Sequence, residues 1–133
     1  MQYDGGKTVL VICHNCRATD LLRSEDGCRS FLLDLARHIA MTPLGPGQAV
    51  TLTHPKHSEK SGVSATQMIQ ESHLAIHTWP EVSGARVLVD SCKSFPICDA
   101  LEFVADRLQA GVVEVREPVE ITSINYEPEG AAA

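Results

Sequence analysis

The sequence contains no block of basic residues. Its 11 lysines and arginines are scattered among 17 acidic residues, for a net charge of −6. Without a clustered positive footprint, no nucleic-acid partner is expected. No apolar run approaches the length needed to span a bilayer, so no membrane partner is expected either. Residues 1–7 lack a charged stretch followed by an apolar one, and no signal peptide is expected. The cysteines are odd in number, five in all: Cys13, Cys16, Cys28, Cys92 and Cys98. An odd count with no secretion signal argues for reduced thiols and a cytoplasmic location. Low-complexity segments and linkers are also missing. With 44% hydrophobic residues in 133 positions, the chain reads as a single domain over residues 1–133.

What is present alternates between strand-like and helix-like stretches. Lys7 to Cys13 is short and rich in β-branched residues, as a buried strand should be. Cys28, Phe31, Leu32, Leu35 and Ile39 recur at helical spacing and predict a helix over 26–41, with Ser24 as its cap. Further strands are expected over 48–54, 64–70, 72–78, 85–91, 112–116 and 119–124. Ile97, Leu101, Val104 and Leu108 make the apolar stripe of a second helix over 96–110, with Pro96 in its first turn and Gly111 at its stop. Residues 127–133 read as a frayed tail. Strands outnumber helices. The expected fold is therefore α+β: a two-layer sandwich, a mainly antiparallel sheet with both helices on one face.

The densest chemistry lies in one run, Glu71-Ser72-His73-Leu74-Ala75-Ile76-His77-Thr78-Trp79-Pro80-Glu81. Strand alternation puts His73, Ala75 and His77 on one face and Ser72, Leu74, Ile76 and Thr78 on the other, although a bulge at the strand start would blur that division. The run closely resembles the self-processing site of the bacterial and archaeal S-adenosylmethionine decarboxylases. Gly62-Val63-Ser64 stands just upstream, as that family's pattern requires, and Cys92 follows Ser72 by 20 residues, where the family carries its catalytic cysteine.

The resemblance implies a proenzyme that cuts itself between Glu71 and Ser72 into a β chain, 1–71, and an α chain, 72–133. A serine hydroxyl can attack the carbonyl before it and turn the amide into an ester. That step calls for a strained or closely held peptide and for groups that stabilise an oxyanion. Removal of the serine α-proton then breaks the ester, and hydrolysis leaves a pyruvoyl group on the new N-terminus. This cofactor, made from Ser72, would form a Schiff base with an amino-acid-type substrate and accept the electrons freed with carbon dioxide. By resemblance, His77 and Ser64 assist self-cleavage, Cys92 donates the proton in decarboxylation, and Glu71 becomes a new C-terminus beside the site. His73 is a candidate contributor. The implied activity is S-adenosylmethionine decarboxylation in polyamine (spermidine) synthesis, by a homodimer of processed protomers with sites near the subunit interface.

Two departures bear on the substrate. Family members stack the substrate's adenine on an aromatic side chain, commonly six residues before the helper serine; here that position is Ser58, and the loop His54 to Gly62 has no aromatic. Aromatics make up only 5% of the chain. The family's aspartate four residues before the cysteine is Leu88 here, and Asp90 stands two before Cys92 instead. Arg86 and Asp90 share a strand face, where they either grip a substrate's carboxylate and amine or pair with each other. Trp79 is either core or substrate wall. A pyruvoyl-dependent decarboxylase of arginine or ornithine is thus the alternative reading, and a non-enzymatic activating partner ranks below it. Cys13-x-x-Cys16 has a zinc or redox spacing but no second such pair, and His54 and His57, which could supply further ligands, do not have the spacing of a recognised half-site, so no metal is expected; a strand end with two incidental thiols is the simpler reading. Cys28 and Cys98 are expected to pack in the core.

Overall fold

The computed structural model describes residues 7–116. It has seven strands and three helices: β1 (Lys7–His14), α1 (Thr19–Arg23), α2 (Glu25–His38), β2 (Thr42–Pro43), β3 (Gln48–Leu52), β4 (Gly62–Gln70), β5 (Ser72–Trp79), β6 (Gly84–Ser91), α3 (Ile97–Leu108) and β7 (Val112–Arg116). The strands form one sheet in the order β2-β4-β5-β6-β1-β7, with β3 also paired to β4. Every pairing is antiparallel.

Period-two alternation divides the sheet. Val9, Val11 and Cys13 of β1, Val63, Ala65 and Ile69 of β4, Leu74 and Ile76 of β5, and Val87 and Val89 of β6 are all buried. They pack against Phe31, Leu32 and Leu35 of α2 and Val104 and Leu108 of α3 in a single core. The helices cover this face only. On the opposite face Val50, Leu52 and Met68 are exposed. The two-layer α+β sandwich expected from the sequence is what forms, with one helix more than expected.

That extra helix, α1, has five residues, too few to show a periodic pattern. Ser24 closes it and also caps α2, its Oγ accepting from the Gly27 amide at 2.8 Å. The long helix stops at His38 rather than at Met41. Ala40 takes φ 59, and the Met41 amide turns back to Ala36 O at 2.8 Å. This is the closure usually built with glycine, made here with alanine, so no sequence signal marks it. Likewise α3 ends on Gln109 at φ 51, and not at Gly111, whose amide serves instead to meet the carbonyls of His14 and Asn15. The expected strand over 119–124 and the tail over 127–133 lie outside the described residues.

Two buried polar side chains fasten the layers. Thr78 Oγ1 accepts from the Val63 amide at 3.0 Å and donates to Leu22 O at 2.7 Å, tying β5 to β4 and α1. Gln67 Nε2 donates to Gly45 O at 3.0 Å and holds the turn between β2 and β3. At the start of β4 the chain runs so close to β5 that a Cβ on Gly62 would lie 1.7 Å from Thr78 O. Only glycine fits there.

Candidate active site

The candidate site occupies the open face of the sheet, at both ends of β5. At one end Ser64 and His77 are cross-strand partners, and Ser64 Oγ lies 2.9 Å from His77 Nδ1. Burial, and then the charge of Arg86, hold the His77 imidazole below its ordinary value of 6.5. At neutral pH the ring is therefore uncharged and can take a proton. Arg86 is the partner of His77 on β6. Ser64, His77, Trp79 and Arg86 line a cavity of about 340 Å³ that also touches Leu52 and Gly62, within the range of small-molecule sites. Trp79 is half-buried on this face and belongs to the cavity, not to the core.

At the other end stands the proposed cleavage bond. Simple alternation puts Ser72 on the core side with Leu74, and the structure does not. Ser72 has φ 121, a region that side chains rarely occupy, at a cost of about 1–3 kcal/mol. The rotation carries its Oγ to the open face, where it donates to Asp90 Oδ2 and lies 3.4 Å from His73 Nδ1. Asp90 Oδ1 accepts from Thr8 Oγ1 of β1, and His73 Nδ1 is 3.7 Å from Asp90 Oδ2. Burial works to raise the Asp90 carboxyl, but the hydrogen bonds from Ser72 and Thr8 and the neighbouring His73 outweigh it and leave it below its ordinary 3.8.

Just before the serine, Glu71 is exposed and its carbonyl oxygen accepts from the Cys92 amide at 3.1 Å. That bond brings residue 92 beside the Glu71–Ser72 peptide, with its thiol half-buried. Asp90 and Arg86 do not pair with each other: Asp90 is engaged with Ser72, Thr8 and His73, and Arg86 stands beside His77. Thr8 is the participant that sequence reasoning missed. It comes from a strand 82 positions away from Asp90, and no motif links the two.

The remaining candidates fall away from the site. Cys13 and Cys16 are buried; the hydrogen bond between their thiols, followed by burial, pushes Cys13 up, and the same bond lowers Cys16. His54 and His57 stay in the exposed loop, where His54 Nδ1 accepts the amides of Lys56 and His57. Among the described residues, no group of three or more His, Cys, Asp or Glu side chains is placed to hold a metal ion. Cys28 is in the core as expected, whereas Cys98 is exposed, because it falls on the outer side of α3. Ser58 bonds Glu81 Oε2 at 2.8 Å and clips the loop to the turn after β5. No helix among the described residues is long and apolar enough to cross a membrane.

The chain can be set beside known proteins on this basis. The model of the S-adenosylmethionine decarboxylase family matches residues 7–119. A protein of Aeropyrum pernix named S-adenosylmethionine decarboxylase proenzyme is 35% identical over 102 residues, 76% of this chain and 72% of that one. A protein of the same name from Pelotomaculum thermopropionicum is 47% identical over 58 residues, 42% of this chain and 45% of that one. The crystal structure of the adenosylmethionine decarboxylase from Aquifex aeolicus covers 90% of this chain and 96% of its own, at a TM-score of 0.65 and 21% identity, and shares the fold. The arginine or ornithine alternative finds no support in these names. With the family model spanning all of the described residues, this chain belongs to the S-adenosylmethionine decarboxylase family.

Proposed function

We propose that the chain is a proenzyme that cuts itself between Glu71 and Ser72, converts Ser72 to a pyruvoyl group and decarboxylates S-adenosylmethionine in the cytoplasm, for polyamine synthesis. The observation that carries this reading is the geometry of one peptide bond. Ser72 is held at φ 121 with its hydroxyl free of the core, and the carbonyl it would attack already accepts an amide hydrogen from Cys92. A donor on that oxygen favours the negative charge that develops there during attack. Breaking the bond also releases the backbone strain at Ser72.

The residues present fit the pyruvoyl group. It would stand at the head of β5 on the open face, between Asp90, His73 and Cys92. When formed, it supplies an electron sink for the departing carboxylate. Cys92 lies where an acid could return a proton to the substrate carbon. Arg86 and Trp79, which share the cavity of His77, would receive a substrate's carboxylate and its flat or apolar part where a second copy's Ser72 comes beside them.

The Ser64–His77 pair belongs to the same reading, but not within one protomer. His77 lies five steps along the strand from Ser72, roughly 16 Å at about 3.3 Å per residue. The partner we propose is a second copy, laid against the open face whose Val50, Leu52 and Met68 are exposed, so that one copy's His77 meets the other's Ser72.

Intact-mass spectrometry tests the reading. The wild type should give two chains divided at 71/72, the second lighter by one ammonia than a serine-started chain. Ser72→Ala should stay whole. Co-expressed with His77→Ala, the Ser72→Ala chain should restore cleavage of its companion. An uncut wild type that is folded refutes self-processing. A His77→Ala chain that stays uncut beside Ser72→Ala refutes the two-copy site.

A further inference from the structure

We infer that Asp90 is the base that starts self-cleavage, taking the Ser72 hydroxyl proton as its oxygen attacks Glu71. This rests on the self-processing reading above and adds a residue that the processing motif does not include. Within its own protomer Ser72 Oγ has two basic side chains within reach. Asp90 Oδ2 accepts its hydrogen bond directly, whereas His73 Nδ1 is 3.4 Å away and faces the carboxylate at 3.7 Å. His77 of the same protomer lies five positions along the strand, and the His77 that a second copy would bring has its Nδ1 engaged with Ser64. The carboxylate is built to stay where it is. Thr8 Oγ1 donates to its second oxygen from β1, and His73 flanks it from β5. It thus presents one lone pair to the serine in a fixed direction.

The step balances without any co-reactant. The Ser72 O–H proton passes to Asp90 Oδ2, and the Ser72 oxygen bonds to the Glu71 carbonyl carbon. The carbon–nitrogen bond between Glu71 and Ser72 then breaks. The nitrogen leaves as a primary amine, taking the proton back from Asp90. The product is the ester, and the carboxylate is regenerated. Its lowered affinity for protons makes Asp90 a modest base, but one that is ionised at any physiological pH. A reaction that occurs once in the life of each chain needs no more. The assignment also accounts for the face on which Ser72 lies: its unusual φ aims the hydroxyl at Asp90 rather than into the core.

Cell-free synthesis with cleavage timed on gels tests this, using hydroxylamine, which cuts esters but spares amides. Asp90→Asn keeps the shape and an acceptor oxygen but cannot take a proton. It should slow cleavage by about 100-fold or more, the scale of general-base catalysis, and should show no hydroxylamine-sensitive bond at 71/72. His77→Ala, by contrast, should accumulate that sensitive bond. In Asp90→Ala, formate should restore cleavage in proportion to its concentration, which the loss of a merely structural contact would not allow. Wild-type rates in Asp90→Asn, a hydroxylamine-sensitive ester in that variant, or no gain from formate in Asp90→Ala overturns the assignment while leaving self-processing intact. An uncut wild type overturns both.

Discussion

Replacing Thr78 by valine isolates the buried hydroxyl that ties β5 to β4 and α1 beside the Ser64–His77 pair. The two side chains have nearly the same shape, so the change removes a hydroxyl and little else. It leaves the Val63 amide, buried beside Ser64, without its acceptor and takes a donor from Leu22 O. Thr78 itself is 3% exposed, so water cannot easily replace what is lost. A net hydrogen bond contributes about 0.5–1.5 kcal/mol, and a stranded buried group costs about 1–3 kcal/mol. Together these give a destabilisation of about 2–4 kcal/mol. With a urea dependence of about 2 kcal/mol per molar, the unfolding midpoint should fall by about 1–2 M. The assay is best run on Ser72→Ala, whose single chain keeps unfolding simple, and at one protein concentration, since association would add its own stability. Thr78→Ser, which keeps the hydroxyl, should lose less than half as much. A midpoint shift of Thr78→Val below about 0.3 M would refute the view that this hydroxyl clamps β4, β5 and α1 together.

Two more outcomes follow from the titratable groups. Because burial and Arg86 lower the affinity of His77 for protons, its contribution to stability is complete above pH 6.5 and is lost as the pH falls toward the lowered value. A proton NMR titration of its ring should show a midpoint below 6.5 that moves up in Arg86→Met; a wild-type midpoint at or above 6.5 would contradict the structure. A thiol-reactive dye should label Cys98 quickly and Cys92 more slowly, while Cys13, Cys16 and Cys28 react only on unfolding, and fast labelling of Cys13 or Cys16 would count against their burial under the sheet.

Much of the fold was legible because its signals are local. The stripe from Cys28 to Ile39 is buried throughout, and from His73 to Thr78 the alternation of β5 is read directly as open face and core. The misreadings have local causes too. Ala40 and Gln109 end helices in left-handed turns without a glycine to announce them, and α1 is too short for its pattern to show. Cys98 falls on the outer side of a helix whose neighbouring Ile97 is packed, a difference of about 100° around the axis.

By itself the sequence determined the layers, because hydrophobic spacing along a strand or helix carries that information, and its resemblance to a family singled out the run from Glu71 to Glu81 and the set Ser64, Ser72, His77 and Cys92. The tertiary structure alone decided which of these meet. Strand order brings β1 beside β6 and so gives Asp90 its Thr8. Register sets Ser64 on His77 and Cys92 beside Glu71. The backbone turn at Ser72 reverses the face that alternation would assign. Those relations depend on pairing between distant segments, and a one-residue slip would move every side chain to the other face. No reading of spacing within a single segment could have supplied them.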